Sequence, residues 1–187
     1  MKNTIEGIVI SETSYSETSK IINVLTKDGI VGIMAKGAKN IKSNLHNGTS
    51  KITLSSFIIN KKDNLSTLTS VDIINDYRNI KKDIMKISYA TYVIELATQV
   101  MKHNQNENIY DLLLASLNKI NENMEPSIIT NILELKYLEY LGVMPIIDSC
   151  AICGSKTNIV TLSSSRGGYI CSNCLKNERI VSEKTLS

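Results

Sequence analysis

The sequence predicts an α+β chain: a small closed barrel of five strands, followed by an α-helical domain that carries an inserted four-cysteine finger. Three observations carry this. Residues 4–75 contain no Pro and crowd β-branched residues into short runs bounded by turn residues. From Ile80 onward the apolar residues recur at steps of three and four, the helical period. All four cysteines fall in two C-x-x-C pairs, Cys150 with Cys153 and Cys171 with Cys174, with 17 residues between the pairs.

In the first region, residues 4–10 and 19–26 read as strands, and Lys27-Asp28-Gly29 supplies a turn into a third strand at 30–35. A polar stretch follows at 36–50. Residues 51–60 and 65–74 then form a second hairpin across Lys61-Lys62-Asp63-Asn64. Five strands in so short a length fit a Greek-key barrel of the OB type, a fold whose commonest ligands are oligonucleotides and oligosaccharides. The change of period places a domain boundary near residue 78, giving a barrel domain at 1–78 and a helical domain at 79–187.

The first long helix is expected from Ile80, with Ile84, Ile87, Thr91, Ile94, Ala97 and Met101 on one stripe and Met85, Tyr89, Val93, Leu96 and Val100 beside it. Apolar on two adjoining faces, it belongs at the centre of a bundle. A second helix is expected at 109–120. A third starts at Pro126, carries Ile128, Ile132, Leu135 and Leu138, and stops at Gly142 with Pro145 beyond. It hands the chain directly to Cys150.

The chain has 187 residues, 42% of them apolar, with a net charge of +3. No run approaches the roughly 18 apolar residues that would span a bilayer. The N-terminus lacks the apolar core of a secretory signal, which predicts a cytoplasmic protein; the glycosylation-type match at Asn47-Gly48-Thr49 is then accidental. The two histidines, His46 and His103, have no nucleophile pair beside them, so acid-base or triad catalysis is not expected. No G-x-x-x-x-G-K-S/T loop is present, so no bound nucleotide is expected.

The doubled C-x-x-C spacing suits one structural zinc ion, held by Cys150, Cys153, Cys171 and Cys174 with no position left for water. Gly154 allows the first knuckle to turn tightly. Two disulfides or a redox dithiol are the competing readings. The first requires an oxidising compartment, and the second usually has a single pair at a helix start in a βαβ setting.

Charge is distributed unevenly. Residues 29–62 contain six lysines, Lys36, Lys39, Lys42, Lys51, Lys61 and Lys62, and no Asp or Glu. A local cationic face predicts a polyanionic partner. Ala35-Lys36-Gly37-Ala38-Lys39-Asn40-Ile41-Lys42-Ser43 places three lysines at steps of three with small residues near them, a pattern suited to phosphate oxygens; a merely solvated loop is the plainer alternative. Tyr15 and Tyr77 are candidates for base stacking, and also for ordinary packing.

The order of these features resembles the bacterial recombination mediator RecO family. The similar segments are Glu6-Gly7-Ile8-Val9-Ile10, Ser14-Tyr15-Ser16-Glu17-Thr18-Ser19-Lys20-Ile21, Lys36-Gly37-Ala38-Lys39 with Lys42-Ser43, Leu65-Ser66-Thr67-Leu68-Thr69, Tyr89-Ala90-Thr91-Tyr92 and Leu138-Glu139-Tyr140-Leu141-Gly142-Val143-Met144-Pro145. The resemblance implies an OB-fold barrel followed by a helical domain with a zinc finger, and a non-enzymatic protein of the bacterial nucleoid. It implies binding of single- and double-stranded DNA, annealing of complementary strands, and loading of recombinase onto DNA covered by single-stranded-DNA-binding protein. The implied partners are that protein's acidic C-terminal tail and the mediator RecR. Lys36, Lys39 and Lys42 fall on the family's DNA-contacting loop, the four cysteines on its zinc positions, and Lys20 on a family lysine; Lys20, Lys61 and Lys62 are expected to bind DNA together with the loop. Family members continue for several tens of residues past the finger, so a shortened C-terminus is expected here. An RNA- or ribosome-binding module and a non-catalytic protein adaptor are the rival readings.

Overall fold

The computed structural model describes residues 2–62, 65–104 and 106–182. The chain forms two compact units, Met1–Tyr137 and Leu138–Ser187.

In the first unit, β1 (Lys2–Ser14), β2 (Lys20–Thr26), β3 (Gly29–Ala35), β4 (Leu54–Asn60) and β5 (Ser66–Asn75) close into a barrel in the order β1-β2-β3-β5-β4. All neighbours are antiparallel except β3 and β5, which run parallel and meet at Ile33 with Ser66 and Met34 with Thr67. This is the five-stranded OB barrel that the strand count predicts.

β1 serves both walls. Its first half, to Ile8, pairs with β4, and its second half pairs with β2, with a register shift between Val9 and Ser11. Such a bulge bends a strand and raises its twist, which is what turning a barrel corner needs. At Gly7 a Cβ would lie 2.5 Å from the Leu25 carbonyl oxygen, so only glycine lets β1 pass so close to β2. Val9, Ile22, Val24, Ile33, Phe57, Ile59 and Leu68 fill the interior, joined by Ala35 and Ala38. β1 runs beyond residues 4–10 because Ser11, Glu12, Thr13 and Ser14 find partners on β2 despite their low apolarity. β4 starts later than residue 51, since Ile52 has φ 58°, which no strand accommodates. Thr49 is buried and its hydroxyl donates to the Leu45 carbonyl at 2.6 Å, so the Asn47-Gly48-Thr49 match is part of a packed turn.

Among the described residues four helices follow: α1 (Arg78–Lys81), α2 (Ile84–His103), α3 (Glu107–Asn121) and α4 (Pro126–Tyr140). The single helix expected from Ile80 is therefore two. The Asp83 carboxylate accepts from the amides of Met85 and Lys86, so α2 starts afresh with its own cap. Ala90, Val93, Ile94, Ala97, Val100 and Met101 are buried, while Ile84 and Met85 at the first turn are exposed. On α4 the expected stripe faces outward: Ile128, Ile132 and Leu135 are exposed. Ile129, Leu133 and Tyr137, at steps of four, form the buried stripe, and the Tyr137 hydroxyl donates to the Ile109 carbonyl at 2.8 Å. With apolar residues on both sides of α4, periodicity alone does not say which side packs. The helices are tied to the barrel by polar contacts, Asn75 to Asn118 at 3.3 Å and the Lys81 ammonium to the Thr53 hydroxyl at 2.6 Å, while the Asn79 amides bind Asn121 and join α1 to α3.

In the second unit, Gly142 at φ 69° closes α4, and β6 (Ile159–Ser163) pairs antiparallel with β7 (Gly168–Cys171). Among its described residues the buried apolar side chains are Cys150, Ile170 and Cys171. Among the described residues, no helix is long and apolar enough to cross a membrane.

Candidate nucleic-acid interface and metal centre

The lysine-rich loop after β3 is a folded element. Ala38 is fully buried and joins the barrel core, and Leu45 packs partly against it, so the loop is anchored at two points by apolar contact. The His46 ring donates through Nδ1 to the Ala38 carbonyl at 3.0 Å. Between these anchors, Asn40 organises a tight turn: its amide donates to the Gly37 carbonyl at 3.2 Å and its Oδ1 accepts from the Lys42 amide at 3.0 Å. Side-chain caps of this kind are why Asn favours turns. Gly37, at φ 72°, opens the turn.

The loop is also sewn to the turn between β1 and β2. The Lys39 amide donates to the Thr18 carbonyl at 2.9 Å, its ammonium to the Ser16 carbonyl at 2.9 Å, and the Gly37 amide to the Ser19 hydroxyl at 3.4 Å. These partners are some twenty residues away in sequence, and nothing in the local pattern announced Ser16, Thr18 and Ser19 as supports. A pocket of about 250 Å³ lies beneath, lined by Glu12, Thr13, Ser14, Lys20, Lys39 and His46.

Lys36, Lys39 and Lys42 are all exposed. Among the described residues neither Lys36 nor Lys42 has an acidic partner within salt-bridge distance. These two ammonium groups, with the Lys39 ammonium that also donates to the Ser16 carbonyl, give one loop three cations able to hold anionic oxygens. Lys61 and Lys62 are exposed directly after β4; Asp63 and Asn64, the rest of that expected turn, lie outside the described residues. Lys20 is placed differently from the other lysines. It is only 6% exposed, and its ammonium is turned inward to Glu12 at 2.5 Å, so its charge is spent within the fold. The two tyrosines also separate: Tyr15 is 65% exposed, whereas Tyr77 is fully buried and is not available to stack on a base.

In the second unit the four thiols converge. The sulfurs of Cys150, Cys153, Cys171 and Cys174 all lie within 4.8 Å of one another. A metal with four thiolates at about 2.3 Å has sulfur–sulfur edges of about 3.8 Å. The Cys153 and Cys171 sulfurs are 3.6 Å apart, close to that edge and far from the roughly 2.05 Å of a disulfide bond. Each pair forms a knuckle: the Gly154 amide donates to the Cys150 carbonyl at 2.9 Å, and the Cys174 amide to the Cys171 carbonyl at 3.0 Å. The Cys171 amide also donates to the Cys150 sulfur at 3.4 Å. Backbone donors at Cys153 and Cys171 bring the Cys150 thiol down to about 6, while hydrogen bonding from the Cys153 thiol and the other sulfurs pushes Cys174 up to about 12. Thiolates this close repel one another, so ionisation of one sulfur keeps its neighbours protonated, and a bound cation would remove that restraint. The cluster can hold a metal ion.

Comparison with known proteins agrees with this architecture. The family described as Recombination protein O N terminal matches residues 1–77, and Recombination protein O C terminal matches residues 81–180. Among similar proteins, a DNA repair protein RecO of Listeria monocytogenes serotype 4b is 40% identical over 176 residues, covering 93% of this chain and 69% of the relative. One from Listeria innocua is 39% identical over the same length, and one from Bacillus cereus 37% identical over 172 residues, 90% of this chain and 68% of the relative. Fold order, cysteine cluster and sequence identity thus converge, and the chain belongs to the RecO family of DNA repair proteins.

Proposed function

We propose that this protein is a non-catalytic recombination mediator. Its barrel, residues 1–78, binds single- and double-stranded DNA through phosphate contacts from Lys36, Lys39 and Lys42, with Lys61 and Lys62 extending the surface and Lys20 supporting it from beneath. The observation that carries the reading is the rigid, acid-free lysine loop held between the barrel core and the β1–β2 turn. Neutralised strands repel each other less, so two complementary strands held on such a surface anneal without ATP.

The four cysteines hold one structural zinc ion: four soft, closed donors match its preferred coordination. The names of the relatives support a role in DNA repair. On that basis the helical domain, residues 79–187, is the part that meets the acidic tail of single-stranded-DNA-binding protein and RecR, and the mediator loads recombinase onto coated DNA in the bacterial cytoplasm, at the nucleoid. The test is annealing of two complementary fluorescent oligonucleotides without ATP. Acceleration by the wild-type protein, and its loss when Lys36, Lys39 and Lys42 become Ala, is the expected result. Intact acceleration in the variant removes the loop from the site.

A further inference from the structure

Ile41 stands between Lys39 and Lys42 and is 83% exposed, the most exposed large apolar side chain among the described residues. Its position contrasts with the other apolar residues of the same loop, since Ala38 is buried in the barrel core and Leu45 packs against it. An exposed isoleucine gains nothing from burial on folding, where full burial is worth about 1.5–3 kcal/mol. Nor does it hang on a loose segment. The Asn40 side chain holds the Lys42 amide, the Ser43 amide donates to the Asn40 carbonyl at 2.9 Å, and Lys39 is fixed to Thr18 and Ser16. The turn therefore presents a stiff branched apolar tip, backed by a barrel and flanked by two cations.

We propose that Ile41 is a wedge that enters between neighbouring bases while Lys39 and Lys42 hold the phosphates on either side. Apolar side chains inserted at a base step unstack it and kink the duplex, and the cost of a few kcal/mol per step is offset by the contacts that the distortion brings. The lysines supply attachment without regard to sequence. Ile41 adds local opening of the stack, the act that an annealing protein needs when a mismatched pairing has to be released. The inference rests on the proposed DNA binding by the loop, and it adds a residue and a mode of action to it.

The probe is a duplex carrying 2-aminopurine, whose emission rises when the base unstacks, with binding followed in parallel by anisotropy over a range of salt concentrations. Wild-type protein is expected to raise the emission. Ile41→Ser is expected to lose that rise and to bind about tenfold more weakly, from the lost apolar contact, with an unchanged salt slope; Ile41→Leu is expected to restore the rise. Because the side chain is exposed, the melting temperature should be the same in all three proteins. Salt-dependent binding by wild type without a rise in emission, or a rise that survives Ile41→Ser, overturns the wedge and leaves the lysine surface standing. Absence of salt-dependent binding by wild type overturns both.

Discussion

Lys20 and Glu12 form an ion pair between the neighbouring strands β2 and β1, with Nζ and Oε2 2.5 Å apart, the lysine side chain 7% exposed and the glutamate 42%. The pair lines the pocket under the lysine loop. Removing one partner of a fully buried pair costs roughly 3–5 kcal/mol, and the open glutamate side reduces that here to about 1–2 kcal/mol. Lys20→Ala is therefore expected to lower the melting temperature by about 2–8 °C, while the slope of log K against log salt for DNA stays as in wild type. A flattened slope at unchanged stability would return Lys20 to the DNA surface.

The exposed loop behaves in the opposite way. If Lys36, Lys39 and Lys42 each neutralise a phosphate on a single strand, replacing all three by Ala flattens the salt slope by about 2 units. Surface lysines without acidic partners contribute little to folding, so the melting temperature should move by no more than a degree or two. Anisotropy titrations at several salt concentrations check this, and an unchanged slope excludes these residues from the contact.

Tyr77 and Tyr110 test the seam between barrel and helices. Both are buried, and neither hydroxyl has a hydrogen-bond partner among the described residues. Burial pushes the Tyr77 phenol up to about 12 and the Tyr110 phenol upward as well. With the folded values above the ordinary value of about 10, the folded state keeps protons that the unfolded chain releases. Stability is therefore intact below about pH 10 and is lost as pH rises toward 12, by at most about 1.4 kcal/mol per pH unit for each group. Tyr77→Phe removes an unsatisfied buried hydroxyl, so it should raise stability at neutral pH by up to about 1 kcal/mol and flatten the alkaline loss. Urea unfolding at about pH 8 and about pH 10.5 measures both; a destabilised Phe variant would mean that the hydroxyl has a partner in solution.

Much of this protein is legible in its sequence because its signals are local. The cysteine spacing announces four converging thiols, and turn residues and β-branched runs announce the strands that close the barrel. What the sequence hides depends on partners far away along the chain. Periodicity offers two faces on α4, and only packing chooses Ile129, Leu133 and Tyr137 over Ile128, Ile132 and Leu135. A lysine reads as a surface cation until Glu12 on the neighbouring strand is found bonded to Lys20. Tyr77 looks like any tyrosine beside a strand until the helices bury it. Break points between helices sit on single caps such as Asp83, which an apolar pattern passes over.

A metal held by the four cysteines is expected to decide whether the second unit folds. Its described residues bury one large aliphatic side chain, Ile170, together with Cys150 and Cys171. A buried aliphatic contributes about 1.5–3 kcal/mol, whereas ordering each residue costs about 1–2 kcal/mol. Apolar burial cannot hold β6 and β7 together, and a metal bound by four thiolates, worth roughly 10–16 kcal/mol in small zinc sites, can. Elemental analysis of reduced protein is expected to give one zinc per chain. Removal by a strong chelator should unfold residues 138–182, seen as rapid amide exchange there, and leave the barrel amides protected. Cys171→Ser should act as the chelator does. Protection of β6 and β7 surviving in metal-free protein would show that the hairpin folds on its own contacts, and the cysteine cluster would then need a different explanation.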